Sequence, residues 1–420
     1  VEVFANSKRI FPLMSDSSPL VTKPLEGVRV LDLAHVLAGP YCTMLMALNG
    51  AEVIKVEPLQ GEMFRHHKLV AKDGRQVTDA VAFLHRSKKA ITLDLRTEKG
   101  KDLLKQMVAT ADVLVENFTP QTMRRLGLGY DVLREINPRL VYTSISGYGH
   151  DDILKSPYSD RPAFNIVAQA ASGLMDITGE PGGAPLAAGL SLGDFVPAVF
   201  ALSGTLMALR MRDLTGIGQH VDIAMCDCLA SFSQIAITEN YLTGVLPDRN
   251  NLLRGNPRGA FKVKDGYVVM TTIGDAMWAR FCTFVGRPEL SSDPRFSTDR
   301  LRGAQYDTVI EPLLSEWGKD KTRREVVDAF IAADLPAGPV QSAADLLDCP
   351  HMKARDMIVE VDDPVHGHLV MTGNPLKFSA VPEATPTPAP KVGQDTDEVL
   401  SALLGLREHD IADLRRQKII

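Results

Sequence analysis

The chain has 420 residues, 45% hydrophobic and 23% charged, an ordinary balance for a folded protein that excludes disordered, collagen-like and disulfide-stapled classes. Lys and Arg number 46 against 52 Asp and Glu, a formal charge of −6, which disfavours nucleic-acid binding while leaving room for a small basic pocket. No uninterrupted apolar run reaches the ~18 residues of a membrane helix, and at ~150 residues per domain the length predicts two or three domains.

Val1–Pro19 carries Lys8 and Arg9 but lacks the apolar core of about 7–15 residues that a secretory signal needs, and the natural start is expected at Met14. Strand and helix patterns then alternate. Val28–Ala34, Ala51–Glu57, Ala90–Leu95, Asp112–Phe118 and Leu140–Ser146 read as strands. Tyr41–Asn49 reads as a helix ended by Gly50, and Glu98–Thr110 as a helix with Leu103, Leu104, Met107 and Val108 on one face. Strands joined by single helices imply right-handed crossovers and a parallel sheet covered on both sides. Ala163–Met175 and Phe195–Arg212 read as buried helices, and Gln219–Leu242 as one long helical region. Thr243–Arg258 is a Gly-, Pro-, Asn- and Arg-rich linker, and Gly259–Thr271 is a hairpin turning at Asp265-Gly266. Ala276–Gly286 and Lys321–Ala333 read as helices, Val381–Pro390 as a Pro-rich extended crossing, and Asp395–Leu404 and Arg407–Gln417 as the last helices.

The expected architecture is therefore α/β, with a Rossmann-like doubly wound parallel sheet in a large domain and a smaller α+β domain. The boundaries are a tail at 1–23, a large domain at 24–225, a linker at 226–258, a small domain at 259–350, and a return segment with C-terminal helices packing on the large domain at 351–420.

Several chemistries are missing. The loop His35-Val36-Leu37-Ala38-Gly39-Pro40 lacks the three glycines of a dinucleotide fingerprint, and neither a phosphate-binding loop nor a Gly-x-Ser-x-Gly elbow occurs. The cysteines Cys42, Cys226, Cys228, Cys282 and Cys349 are too scattered for a zinc site and read as reduced thiols, so the expected location is cytoplasmic. His66-His67 reads as a surface pair without metal-ligating neighbours. Asp194, after Gly193 at a loop-to-helix junction, reads by composition as an N-cap.

An ordered set of segments changes that reading of Asp194. Pro24–Pro40 (PLEGVRVLDLAHVLAGP), Gly50–Glu57 (GAEVIKVE), Lys88–Asp94, Asp112–Phe118 (DVLVENF), Met123–Gly127, Asn137–Gly147, Gln169–Gly179, Gly193-Asp194, Gly218–Asp222, Leu335–Val340 and Gly393–Leu400 run from about residue 24 to 415. In that order they resemble the class III coenzyme A-transferases, the family of formyl-CoA transferase and carnitine CoA-transferase, which shares its fold with α-methylacyl-CoA racemase. The resemblance implies that Asp194 is the nucleophile. An aspartate is already an anion at neutral pH and needs no general base to attack a thioester. It implies a mixed anhydride, then an aspartyl-CoA thioester, with no tightly bound cofactor, the CoA thioester being substrate.

By the same resemblance CoA is bound by His35, Val36, Ala38, Leu93, Arg96, Asn117, Phe118 and Arg125, with Lys88, Lys89 and Arg124 able to assist, since guanidinium groups grip phosphate oxygens. Leu37, Asn165 and the glycine loop at Gly255–Gly259 would support the substrate. Leu37 stands where some members carry Gln, and Phe164-Asn165 where racemases carry His and an acid. Racemisation needs a proton acceptor and donor on opposite faces of a carbon. The sequence thus favours an acyl-CoA:carboxylate CoA-transferase, acting on a dicarboxylate such as succinate, malate, citramalate or mesaconate, within or between molecules, over the alternative of an acyl-CoA racemase or epimerase. His35, Arg65, Arg254 and Arg258 are candidate cations for the second carboxylate. The expected partners are the acyl-CoA, the acid and a second copy of the chain in an interlocked homodimer.

Overall fold

Aliphatic runs alternating with helical segments build one parallel sheet in the first half of the chain. The computed structural model describes residues 23–246, 249, 255–381 and 385–420; Met14, Arg254, most of the tail and part of the Pro-rich crossing lie outside the described residues. In chain order come β1 (Arg29–Asp32), α1 (Ala38–Leu48), β2 (Glu52–Glu57), a short hairpin of β3 (Leu69–Val70) and β4 (Gln76–Val77), α2 (Asp79–Leu84), β5 (Lys89–Thr92), α3 (Glu98–Val108), β6 (Val113–Glu116), α4 (Gln121–Arg125), α5 (Tyr130–Ile136) and β7 (Val141–Ser146). Then follow α6 (Asn165–Ala171), α7 (Leu192–Thr215) and β8 (His220–Ala224). The sheet order is β5-β2-β1-β6-β7-β8, all parallel. Winding reverses between β1 and β6, so the crevice for a ligand lies beyond the carboxyl ends of those two strands.

The expected single helix at Gln219–Leu242 is corrected. Its first residues form β8, hydrogen-bonded to β7 in register Tyr142 to His220, and the rest divides into α8 (Met225–Ala230) and α9 (Gln234–Thr243). The part of the expected linker at 226–258 that runs up to Thr243 is therefore helical. No Gly or Pro separates β8 from α8, so nothing in the local sequence marks the change. The helix expected from Phe195 starts earlier, at Leu192, which moves Asp194 from the junction into the first turn.

The remaining elements are β9 (Arg258–Val263), β10 (Gly266–Thr271), α10 (Gly274–Phe284), α11 (Asp299–Ala304), α12 (Glu311–Gly318), α13 (Arg323–Ala332), β11 (Ala337–Pro339), α14 (Ala343–Asp348), α15 (Pro350–Ala354), β12 (Ile358–Asp363), β13 (Gly367–Thr372), α16 (Thr396–Leu404) and α17 (Glu408–Arg416). The expected hairpin is β9–β10, joined by β11 in an antiparallel sheet.

Three apolar cores follow from this. On one face of the large sheet Val30, Val53, Val113 and Val141 pack under α1 and α7. On the other, Leu31, Ile54, Ile91 and Leu114 pack against α3, against Val399 and Leu400 of α16, and against Ile411 and Leu414 of α17. The third core, around Phe261, Trp278, Phe281 and Phe330, belongs to the small sheet and its helices. The return segment also covers the β5 edge: Asp395 Oδ2 accepts from Ala90 N–H at 2.7 Å and Thr396 Oγ1 from Thr92 N–H at 3.1 Å.

α7 is, despite the absence of an uninterrupted apolar run, long and apolar enough by composition to cross a membrane. Here it lies on the sheet with Ala198, Ala201, Leu202, Ala208 and Leu209 buried, and Arg212 pairs with Asp112 at 2.6 Å.

Candidate active site

The turn leaving β1 and the turn leaving β6 face each other across the switch point. Asn117 ties them together: its Oδ1 accepts from His35 N–H and its Nδ2 donates to the His35 carbonyl, both at 2.8 Å. The Phe118 ring lies 5.0 Å from the His35 ring. Between them opens a cleft of about 780 Å³, lined by His35, Val36, Leu93, Arg96 and Phe118, with Pro58, Met63, Thr122, Leu126 and Phe164. Five of the eight side chains expected to bind CoA thus line one cleft. Ala38, buried, opens α1 behind it. Asn117 spends its amide on His35. Arg125 sits beside Thr122 at the rim, donates to Thr122 Oγ1 at 3.3 Å, and forms no ion pair among the described residues. Arg96 is exposed and donates to both carboxylate oxygens of Asp94, at 2.8 Å from Nε and from Nη2.

The other expected cations are corrected. Lys88 is fully buried and cannot reach a phosphate: its Nζ is 2.9 Å from Asp32 Oδ2 and 2.8 Å from Thr43 Oγ1. Burial raises the Asp32 carboxyl, but Lys55 and Lys88 outweigh it and hold the group below its ordinary range. Lys89 pairs with Glu398 at 3.0 Å and Glu52 at 3.3 Å on the β5 edge. Arg65 grips Glu57 at 2.6 and 2.8 Å and the Pro390 carbonyl at 2.8 Å, so it is not free for a substrate carboxylate. Arg124 faces Asp152 at 3.6 Å. Burial lowers the His35 imidazole, helped by Lys55, so His35 is neutral near pH 7.

Asp194 sits in the first turn of α7, its N–H bonded to the Ser191 carbonyl at 2.9 Å. Ser191 is the N-cap residue but makes no side-chain cap bond, so neither it nor Asp194 caps the helix by side chain. Burial pushes the Asp194 carboxyl up to about 6, and no other charge contributes. Asn165 Oδ1 accepts from Gly193 N–H at 2.9 Å and from Gln169 Nε2 at 2.8 Å. A side chain at 193 would place its Cβ 2.4 Å from the Asn165 carbonyl oxygen, so only glycine allows this approach. Asn165 thereby joins the turn that carries Asp194 to Phe164 on the cleft wall. The first turn of α1 meets that of α7 through Tyr41, whose ring stands edge-on to Phe195 at 4.9 Å. Leu37 is the half-buried N-cap residue of α1.

Gly255 and Gly259 are not brought to this cleft within one chain. They line a separate cavity of about 360 Å³ with Glu180, Pro181 and Arg258, where Gly259 packs on the Tyr306 ring.

Sequence reasoning missed two buried carboxylates, Glu116 behind the cleft and Glu62 on its wall, because Tyr142 for the one and Val36 for the other lie far along the chain. Glu116 Oε2 accepts from Phe118 N–H at 2.8 Å, and Oε1 lies 3.2 Å from the Tyr142 hydroxyl. Burial pushes Glu116 up to about 7. Its neighbour His150 bonds Asp222 at 2.9 Å, which outweighs burial and raises the imidazole. Glu62, the second, holds the Val36 N–H. Among the described residues no cluster of His, Cys, Asp and Glu is arranged to hold a metal ion.

The profile of CoA-transferase family III matches residues 25–396. The chain belongs to CoA-transferase family III. Succinyl-CoA–D-citramalate CoA-transferase of Chloroflexus aurantiacus is 36% identical over 96% of this transferase and all of that protein. Formyl-CoA:oxalate CoA-transferase of Streptomyces avermitilis is 34% identical over 95% of this chain and all of its own. Among solved structures, a CAIB/BAIF family protein from Brucella suis superposes with a TM-score of 0.78 at 31% identity, covering 91% of this transferase and all of that chain. The chain is thus a CoA-transferase, and acyl-CoA and carboxylate substrates fit that family.

Proposed function

We propose that this enzyme moves CoA from an acyl-CoA to a dicarboxylic acid through covalent intermediates on Asp194. The observation that carries the reading is a partly buried carboxylate without a cation, set one residue from a glycine held by Asn165 beside the cleft. With its carboxyl raised to about 6, Asp194 is still mostly ionised at pH 7. The carboxylate attacks the thioester carbonyl, the C–S bond breaks, and CoA thiolate leaves a mixed anhydride. The thiolate attacks the aspartyl carbonyl, displacing the donor acid and forming the aspartyl-CoA thioester. The acceptor carboxylate attacks that thioester, and the thiolate then takes the acyl group of the second anhydride, regenerating Asp194. Each addition builds an oxyanion. The first N–H groups of α1 have no intrahelical acceptor, and no acidic side chain occupies that turn, so they are suited to stabilise it.

Relatives named for D-citramalate, L-malate and mesaconate support a dicarboxylate acceptor. With Arg65 engaged and His35 neutral, Arg258 is the cation left among the described candidates, and it stands on the cavity lined by Gly255 and Gly259. We assign CoA to the cleft at His35, Val36, Leu93, Arg96 and Phe118, with Arg125 at its phosphate rim. The working unit is an interlocked homodimer in which the partner's Gly255–Gly259 loop closes the site, and the compartment is the cytoplasm.

The test is incubation with acyl-CoA followed by hydroxylamine. A hydroxamate mass shift on the peptide holding Asp194, absent in Asp194→Asn, is expected; transfer persisting in that variant would sink the mechanism. A panel of acyl-CoA donors against free acids then identifies the pair.

A further inference from the structure

The backbone of the turn after β1 is held at every polar group from Ala34 N–H to Val36 N–H. Ala34 N–H donates to Asp32 Oδ1 at 3.0 Å, the Ala34 carbonyl accepts from Lys55, and Asn117 holds both groups of His35. The last donor, Val36 N–H, reaches Glu62 Oε2 at 3.3 Å. Val36 has φ +66°, a left-handed conformation that a β-branched residue adopts only when its surroundings impose it. Glu62 is 4% exposed, and its own N–H is anchored to Glu57 Oε1 at 3.0 Å. Its other oxygen, Oε1, lacks a hydrogen-bond partner and faces the equally unpartnered His85 Nε2 at 3.8 Å. Arg65, which can only donate, lies 3.5 Å from His85 Nδ1, so Nδ1 accepts and the ring proton sits on Nε2, aimed at Glu62.

We propose that Glu62 is a positioning residue for CoA-thioester binding: it holds Val36 in its left-handed conformation before substrate arrives, and His85 steadies its second oxygen. The proposal rests on the CoA-transferase reading. Without Glu62, Val36 relaxes, only a fraction of free enzyme keeps the binding turn, and apparent affinity falls by that fraction. The barrier to the chemistry, once substrate is seated, stays the same.

The test uses Glu62→Ala, Glu62→Gln, Val36→Gly and the double variant Val36→Gly/Glu62→Ala, read by steady-state CoA transfer and by calorimetric titration with CoA alone. In Glu62→Ala the KM for acyl-CoA and the Kd for CoA rise about tenfold while kcat stays within about twofold. Glu62→Gln keeps an oxygen for the Val36 N–H and stays within about threefold of wild type. Val36→Gly loses the contacts of its own side chain, but on that background Glu62→Ala costs less than about twofold more, because glycine adopts positive φ without strain. A fall in kcat at unchanged KM, an unchanged Kd, or the same tenfold loss on the Val36→Gly background overturns the proposal. Wild-type enzyme that binds CoA but transfers none would sink the transfer mechanism instead, and the titrations alone would then decide the role of Glu62.

Discussion

Asp194 is perturbed by burial alone, and that single cause makes two consequences separable. Its carboxyl rises from an ordinary 3.8 to about 6. The protonated acid is no nucleophile, so kcat/KM should fall on the acid side with an apparent pKa near 6, measurable in a pH series with a donor that does not itself titrate there. The same burial penalises the folded state. Between pH 4 and 6 the native carboxyl keeps its proton while the unfolded one has lost it, so this group's contribution to stability falls as pH rises through that window. Moving the value from 3.8 to about 6 corresponds to roughly 3 kcal/mol as an upper bound. Asp194→Asn should therefore be inactive yet more stable than wild type above pH 6, the difference closing toward pH 4 in urea titrations. Equal stability at pH 8 would mean that the carboxyl is better solvated than its position implies. Arg125 poses a simpler case. It is exposed and held by no carboxylate among the described residues, so Arg125→Ala should raise the KM for acyl-CoA about five- to tenfold with little change in kcat.

At the scale of elements, the carboxyl end of β1 organises the site. Asp32, opposite Lys55 in the register, receives Lys88 from the start of β5 and Thr43 from α1. Lys88→Met should destabilise the fold by about 1.5–3 kcal/mol, since it removes a charged donor from Asp32, Thr43 and the Pro40 carbonyl while Lys55 still faces the carboxylate, and chemical denaturation will read it. A loss below about 1 kcal/mol would mean that Lys55 alone neutralises Asp32. The strands that build this arrangement were legible because their aliphatic runs are punctuated: Gly39-Pro40 follows β1, and Gly50 precedes β2. β8 was not, because it is a half-buried edge strand running directly into α8. The burial of Lys88 was hidden for another reason. In sequence it neighbours Lys89 and looks like part of a basic patch, and only the crossing from β5 to β1 brings it to Asp32, 56 residues away. Glu62 and Glu116 escaped likewise, because what distinguishes them is a group on another strand or turn, the Val36 N–H for Glu62 and the Tyr142 hydroxyl for Glu116.

For the whole molecule, the faces left uncovered matter as much as the cores. The inner face of α7 is buried on the sheet, yet its outer face exposes Val199, Phe200, Met207 and Leu214, and beyond it stand Phe232, in the turn between α8 and α9, and Tyr241 and Leu242 of α9. Phe200 and Phe232 meet edge-on at 6.1 Å, so the patch is continuous across the helices. Contiguous apolar surface of this kind is what large, permanent interfaces cover. On the proposed mechanism the glycine pair at 255 and 259 points the same way, since it lines a cavity apart from Asp194 and would meet that carboxylate only across a second chain. Met207, 69% exposed, is the natural probe. Met207→Glu leaves a single chain's packing intact but sets a charge into a covered apolar interface, where it finds neither water nor partner. Sedimentation should give twice the chain mass for wild type and a shift toward monomer or aggregate for the variant, with transfer activity lost in parallel. A stable, active monomer, from either protein, would mean that one chain completes the site by itself and that the apolar face serves something else.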